Sequence, residues 1–254
     1  SQPTADVTIA LSSSDTTEGT VSPASMIFTD ANWNTAQTAT VNGADDSIDD
    51  GDINYTILTA AAVSSDANYS GMDPGDVTAT NTDDDTAGVT VSAISGNTTE
   101  AGGTATFTVV LDSEPTADVS INISSSDTTE GTVSPASLTF TSGNWNTAQT
   151  VTVTGADDSV VDGDTAYAVT TAPAVSSDTV YNAMDPGDVT VTNTDDDTAG
   201  ITLSAISGNT TEAGGTATFT AVLNSEPTAD VTIALSSSDT TEGTVSPASL
   251  TFTS

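Results

Sequence analysis

Apolar residues recur at every second position in a series of short runs. GVTVSAI (88–94), TATFTVVL (104–111), ADVSINI (117–123), SLTFT (137–141), AQTVTVT (148–154), TAYAVTT (165–171) and GDVTVTN (187–193) interleave Val, Ile, Leu, Phe or Tyr with small polar residues, chiefly Thr and Ser. A period of two belongs to a strand with one buried face and one wet face. Between the runs lie Gly, Pro, Asn and Asp clusters such as EAGG, SGN and DPGD, the residues that turns require. Seven short strands with this punctuation predict an all-β fold, an immunoglobulin-like seven-stranded antiparallel β-sandwich.

The pattern then returns. PTADVTIALSSSDTTEGTVSPAS begins at Pro3 and again at Pro227, with a near copy at Pro115 midway between them, and DDDTAG stands at Asp83 and Asp195, the same step apart. Trp33 and Trp145 keep that step too, and residues 1–30 differ from 225–254 only at Gln2/Glu226, Met26/Leu250, Ile27/Thr251 and Asp30/Ser254. Such a period is the size of one sandwich domain and too long for a solenoid turn. The expected units are 1–85, a repeat without its first two strands; 86–197, a complete repeat; and 198–254, the N-terminal part of a third. Either a longer array continues past both ends, or subunits complete each other head to tail by adding a strand to an open sheet edge.

Charge narrows the function. The chain carries 36 acidic side chains and no Lys, Arg or His, for a formal charge of −36. Nucleic acid and anionic membranes are excluded as partners, since phosphate binding needs cationic side chains. High charge with few aromatics is also the signature of disorder, but the alternation argues for folded strands. With no cysteine, disulfides and thiolate metal sites are ruled out. No apolar run reads as a membrane span or as a signal peptide. Nucleophilic triads and phosphoryl transfer lack their His, Lys or Arg, and no aromatic groove accompanies the acids to support glycoside cleavage. The expectation is a protein that is not an enzyme.

The acids are unevenly placed. Asp195, Asp196 and Asp197 follow the last strand, Asp157, Asp158, Asp162 and Asp164 fill the single loop GADDSVVDGD, Glu100 precedes the second strand, and Asp127 and Glu130 follow the third. Up-and-down alternation of seven strands brings all these positions to one pole. Two carboxylates about 5 Å apart repel by roughly 3 kcal/mol at an effective dielectric near 20, against a whole-domain stability of about 5–15 kcal/mol. A hard divalent cation would reverse the sign. Ca²⁺ accepts 6–8 oxygen ligands in flexible geometry, whereas Mg²⁺ demands an octahedron and Zn²⁺ prefers His or Cys. The matching acids of the first unit are Asp15, Asp45, Asp46, Asp50, Asp52, Asp83, Asp84 and Asp85, and Glu212 is the counterpart in the last. Neither the helix–loop–helix calcium motif nor the Gly-rich nonapeptide repeat is present.

NTDDDTAGVTVSAISGNTTEAGGTATFTV followed by LTFTSGNWNTAQTVTVTGADDSVVDGD resembles the Calx-beta domain across the whole 112-residue unit. That family serves as the calcium sensor of sodium–calcium exchangers and as tandem repeats in cell-surface adhesins and very large bacterial secreted proteins. The resemblance implies Ca²⁺ ligands at Glu100, Asp157, Asp158, Asp162 and Asp195 to Asp197, and at Asp45, Asp46, Asp50 and Asp83 to Asp85, with Glu212 matching in the last unit. Asp127 and Glu130 compete for one further ligand position. The expected role is a structural one, an extracellular or cell-surface stalk, adhesin or filament of Ca²⁺-stiffened repeats whose partners are neighbouring repeats, copies of the chain, or a surface glycan or host ligand. The alternative is a calcium-sensing or binding module of a larger secreted or membrane protein. Asn54, Asn68, Asn97, Asn122 and Asn209 begin candidate glycosylation sequons, and Trp33 and Trp145 are expected to anchor turns against the core.

Overall fold

Alternation becomes packing in strand after strand. The computed structural model describes residues 1–254 and is all-β, without a helix. Residues 1–85 form β1 (Val7–Ser13), β2 (Gly19–Ser22), β3 (Ser25–Phe28), β4 (Thr40–Gly43), β5 (Ile53–Thr59) and β6 (Val77–Asn81). Then come β7 (Val89–Val91), β8 (Thr98–Thr99), β9 (Thr104–Leu111), β10 (Val119–Ser125), β11 (Gly131–Ser134), β12 (Ser137–Phe140), β13 (Gln149–Gly155), β14 (Thr165–Thr171) and β15 (Val189–Thr194). The last stretch carries β16 (Ile201–Leu203), β17 (Ala221–Leu223), β18 (Val231–Ala234) and β19 (Ser249–Phe252).

Residues 89–194 build two sheets, ordered β12-β10-β14-β15-β8 and β11-β13-β9-β7. All their pairs are antiparallel except β15 with β8, where Asn193 lies opposite Thr98. Each strand turns every second residue inward, so Phe107, Val109, Leu111, Val151 and Val153 of one sheet meet Val119, Ile121, Leu138, Phe140, Tyr167, Val169 and Val191 of the other in one buried cluster. Trp145 is half-buried against that cluster. Tyr181, fully buried, donates its hydroxyl to the Ser113 carbonyl at 2.7 Å and accepts the Ser113 N–H at 3.0 Å, tying a connecting segment to the core.

Nine strands rather than seven occupy this stretch. The two additional ones are short: β8 has two residues, too few to display a period, and β11 (GTVS) stops before Pro135, which cannot donate to a ladder.

Residues 1–85 form a sheet β3-β1-β5-β6 and a separate pair β2-β4. The strands from β1 to β6 follow the same order as β10 to β15, but β4 pairs with β2 alone where β13 pairs with β11 and β9. Val41 is 39% exposed, whereas Val153, at the matching position of the middle unit, is 0% exposed. Residues 198–254 hold only two two-stranded pairs, β16-β17 and β18-β19. No helix is long and apolar enough to cross a membrane.

Candidate metal centre

The acids gather where strands end. β8 sets Glu100 at the end of its parallel pair with β15, and β15 runs directly into Asp195–Asp197. Carboxylate oxygens of Glu100, Asp195 and Asp197 come within 4.8 Å of one another. Backbone hydrogen bonds lock the group: Asp195 accepts from the Gly163 N–H at 2.8 Å and the Asp197 N–H at 2.8 Å, and Glu100 accepts from the Asp196 N–H at 3.3 Å. Asp158 folds its own loop by accepting the Val160 N–H at 2.7 Å, and Asp164 accepts the Asp195 N–H at 3.2 Å.

A second group forms from Glu18, Asp46 and Asp50, again within 4.8 Å. It opens on a cavity of about 30 Å³ whose walls include Asp45, Asp83, Asp84 and Asp85. That volume admits one or two waters or a bare ion. Asp83 repeats the Asp195 pattern, accepting from Gly51 and Asp85 N–H groups at 2.7 and 2.9 Å, and Asp52 accepts from the Asp83 N–H at 3.1 Å.

Electrostatics at these poles is uncompensated. Burial raises the Glu100 carboxyl above its usual range, with Asp195, Asp158 and Asp162 adding repulsion. Burial and then Asp195 and Asp196 raise Asp197, burial and Asp162 raise Glu130, burial and Asp46 raise Asp50, and burial and Asp84 raise Asp85. Asp197 Oδ2 is buried and has no hydrogen-bond partner. Buried carboxylates ordinarily find a cation or a donor, and the chain has no basic side chain to offer. A donor set made only of carboxylates, one of them with an orphaned buried oxygen, fits a hard metal ion. Both groups could hold one.

Not every predicted acid joins a group. Asp127 Oδ1 accepts the Thr129 N–H at 3.0 Å and its hydroxyl, and Asp15 does the same with Thr17, so each closes a local turn and is held below the usual carboxylate range by those bonds. Glu130, by contrast, is buried and faces Asp162 and Asp158. Its counterpart in the first unit is Glu18, which sequence reasoning passed over in favour of Asp15. The signal was present, because Glu18 and Glu130 hold the same place in the repeated string DTTEG. Buried Asn193 was passed over as well; its amide donates to the Ala156 carbonyl at 2.9 Å, pinning the acidic loop to β15, and Asn81 does likewise to Ala44 at 2.7 Å. Asp157 and Asp196 are exposed beside the first group, and Glu212 is exposed on its own. The sequon residues Asn54, Asn68, Asn97, Asn122 and Asn209 are all exposed.

The same acidic loops touch the next unit. The Ser47 carbonyl accepts the Glu114 N–H at 2.6 Å, and the Ser159 carbonyl accepts the Glu226 N–H at 2.6 Å. Asp49 adds a bond from the Ala87 N–H at 2.7 Å, whereas its counterpart Val161 joins Val160 in an apolar groove with Ile201, Leu223 and Pro227.

Gly155 couples the core to this pole. A Cβ there would lie 2.2 Å from the Thr99 carbonyl oxygen and 2.5 Å from Asn193 Oδ1. Gly155→Ala should therefore push β8, and Glu100 with it, outward. Urea denaturation should show a loss of about 1–3 kcal/mol and calorimetry a weaker cation affinity, while Gly187→Ala, with nothing within 4 Å of its added Cβ, should change neither.

No protein-family model matches the chain, and no curated protein matches it.

Proposed function

We propose that the chain is a non-enzymatic structural component of an extracellular stalk, adhesin or filament, built from tandem immunoglobulin-like, Calx-beta-like sandwiches, one to each sequence repeat, and stiffened by Ca²⁺ at the junctions between units. One observation carries this reading: the loop that brings Asp158 and Asp162 to the acidic pole also presents the Ser159 carbonyl to Glu226 of the following unit. Glu100, Glu130, Asp158, Asp162, Asp195 and Asp197 would hold the ion. Calcium suits the all-oxygen donor set and the unequal burial of its members, because it tolerates irregular coordination by 6–8 oxygens. Its positive charge offsets the repulsion that otherwise loosens the loop, and a tightened loop fixes the neighbour's angle.

Extracellular modules bind calcium at about 10⁻⁴–10⁻³ M, so the stiffening belongs where calcium is millimolar. Partners are then neighbouring repeats and copies of the chain, with the exposed Asn sequons open to glycans. Small-angle scattering on the whole chain tests the reading. In millimolar calcium the particle should be longer and more rigid than after chelation; superimposable profiles would overturn it.

A further inference from the structure

The two junctions between units share one contact and differ in a second. At both, the acidic loop offers a backbone carbonyl to the following unit: Ser47 accepts the Glu114 N–H and Ser159 accepts the Glu226 N–H, each at 2.6 Å. Two residues further along, the first loop has Asp49 and the second has Val161. Half-buried Asp49 accepts the Ala87 N–H through Oδ2 at 2.7 Å. Val161 has no acceptor to offer the matching Ala199 N–H, and the second loop instead adds a parallel bridge from Val160 to Glu226 at the shared contact.

Both ends of the Asp49 bond are anchored. On its own unit, Asp49 stands in a loop fixed to the end of β6, where the Asn81 amide donates to the Ala44 carbonyl at 2.7 Å and Asp83 accepts the Gly51 N–H at 2.7 Å. On the other side, Ala87 packs against the core cluster of the middle unit, and the carbonyl of the next residue, Gly88, accepts the Asp112 N–H at 2.9 Å. Two bodies joined by the chain and by one further contact can still rotate about the line through those two points. A third attachment restrains that rotation. Hydrogen bonds to a carboxylate are among the strong ones, and half-burial shields this one in part from screening.

We propose that Asp49 is a latch that fixes the angle between the first and second units whether or not an ion is bound, so that the residue at this one place in the acidic loop sets the stiffness of each junction. The first junction is then rigid by sequence, and the second, with Val161, is the more compliant. Asp49 differs in role from its acidic neighbours because its carboxylate oxygen serves the backbone of the next unit. The latch does not depend on calcium. Its one consequence for the calcium reading given above, and the only part that rests on that reading, is that the ion has its larger stiffening effect at the second junction.

Amide exchange and spin-label distances on the full chain, both in chelator, test the latch. In the parent the Ala87 amide should exchange about tenfold more slowly than the Ala199 amide, the protection expected of one hydrogen bond to a charged acceptor. Asp49→Ala should bring Ala87 to the Ala199 rate. Asp49→Asn, which keeps the acceptor and removes the charge, should leave most of the protection, and Val161→Asp should slow Ala199. Because the protein has no cysteine of its own, nitroxides on Ala10→Cys and Asn122→Cys, exposed at matching places in β1 and β10, read the angle between the units. Their distance distribution should be narrow in the parent and in Asp49→Asn, and broad in Asp49→Ala. Core amides at Tyr55 and Val151 should keep the parent rates; if Asp49→Ala loses them, Asp49→Asn and Val161→Asp carry the test. Ala87 as fast as Ala199 in the parent, no loss of protection or no broadening in a folded Asp49→Ala, Asp49→Asn with neither protection nor a narrow distribution, or Ala199 unmoved by Val161→Asp would each overturn the latch and leave the calcium reading standing. That reading is followed separately, by adding calcium and watching Val160 and Gly163: no change there, with the latch results as expected, removes the cation and keeps the latch.

Discussion

Phe107→Ala is expected to destabilise the protein by about 3–5 kcal/mol, and Phe219→Ala, the same substitution in the same sequence context, by less than about 1 kcal/mol. Phe107 is 1% exposed and sits among Val109, Val151, Val153 and Phe140, so its removal leaves a hole that a close-packed core refills only in part. Phe219 is 38% exposed and lies outside that cluster. The measurement is urea denaturation followed through Trp145 in a Trp33→Phe background. Trp145 reports the middle unit because it packs on that cluster. Equal losses for the two variants would contradict the packing described above.

Glu100→Gln should change stability with opposite sign in chelator and in calcium. Burial holds the Glu100 carboxyl above its unfolded value of about 4.3, so the folded state binds the proton more tightly. Its contribution to stability is then lost as pH rises through the folded pKa, and at pH 7 the buried charge is a net penalty. With chelator, the variant should therefore melt higher than the parent at pH 7, and the two should converge below about pH 4, where the carboxyl is protonated in both states. With calcium at a hundredfold excess over Kd the parent gains about 2.7 kcal/mol, the variant gains less, and the order inverts. Gln keeps the acceptor for the Asp196 N–H, so the inversion reports charge and not a lost hydrogen bond. Thermal melts with both additives check it; the same sign in both would contradict a cation at Glu100.

Some of this was readable in advance for clear physical reasons. Period-two alternation in TATFTVVL and AQTVTVT comes from burying one face, and β9 and β13 run through those residues. Crowded carboxylates announce themselves because nothing else in the chain can neutralise them, and Glu100, Asp195 and Asp197 do meet. What escaped was set by tertiary context. β8 exists only because Thr98 and Thr99 find β15 far along the chain. Asp127 and Glu130 are equally acidic on paper, yet a Thr two residues beyond Asp127 captures its oxygen, while Glu130 is carried under the acidic loop. The same capture by Thr17 separates Asp15 from Glu18. Asp49 and Val161 occupy matching positions but make polar and apolar contacts respectively to the next unit, a difference that no spacing argument foresees.

The junction is the point on which the whole account turns, and amide hydrogen exchange reads it directly. The Val160 and Gly163 N–H groups are held by Asp158 and Asp195, and the Glu226 N–H is held by the Ser159 carbonyl. Millimolar calcium should slow exchange at all three amides together, by about a hundredfold at a hundredfold excess over Kd, with core amides such as Val151 far less affected. Unchanged exchange at Val160 and Gly163, or slowing there without any at Glu226, would contradict a cation that ties one unit to the next.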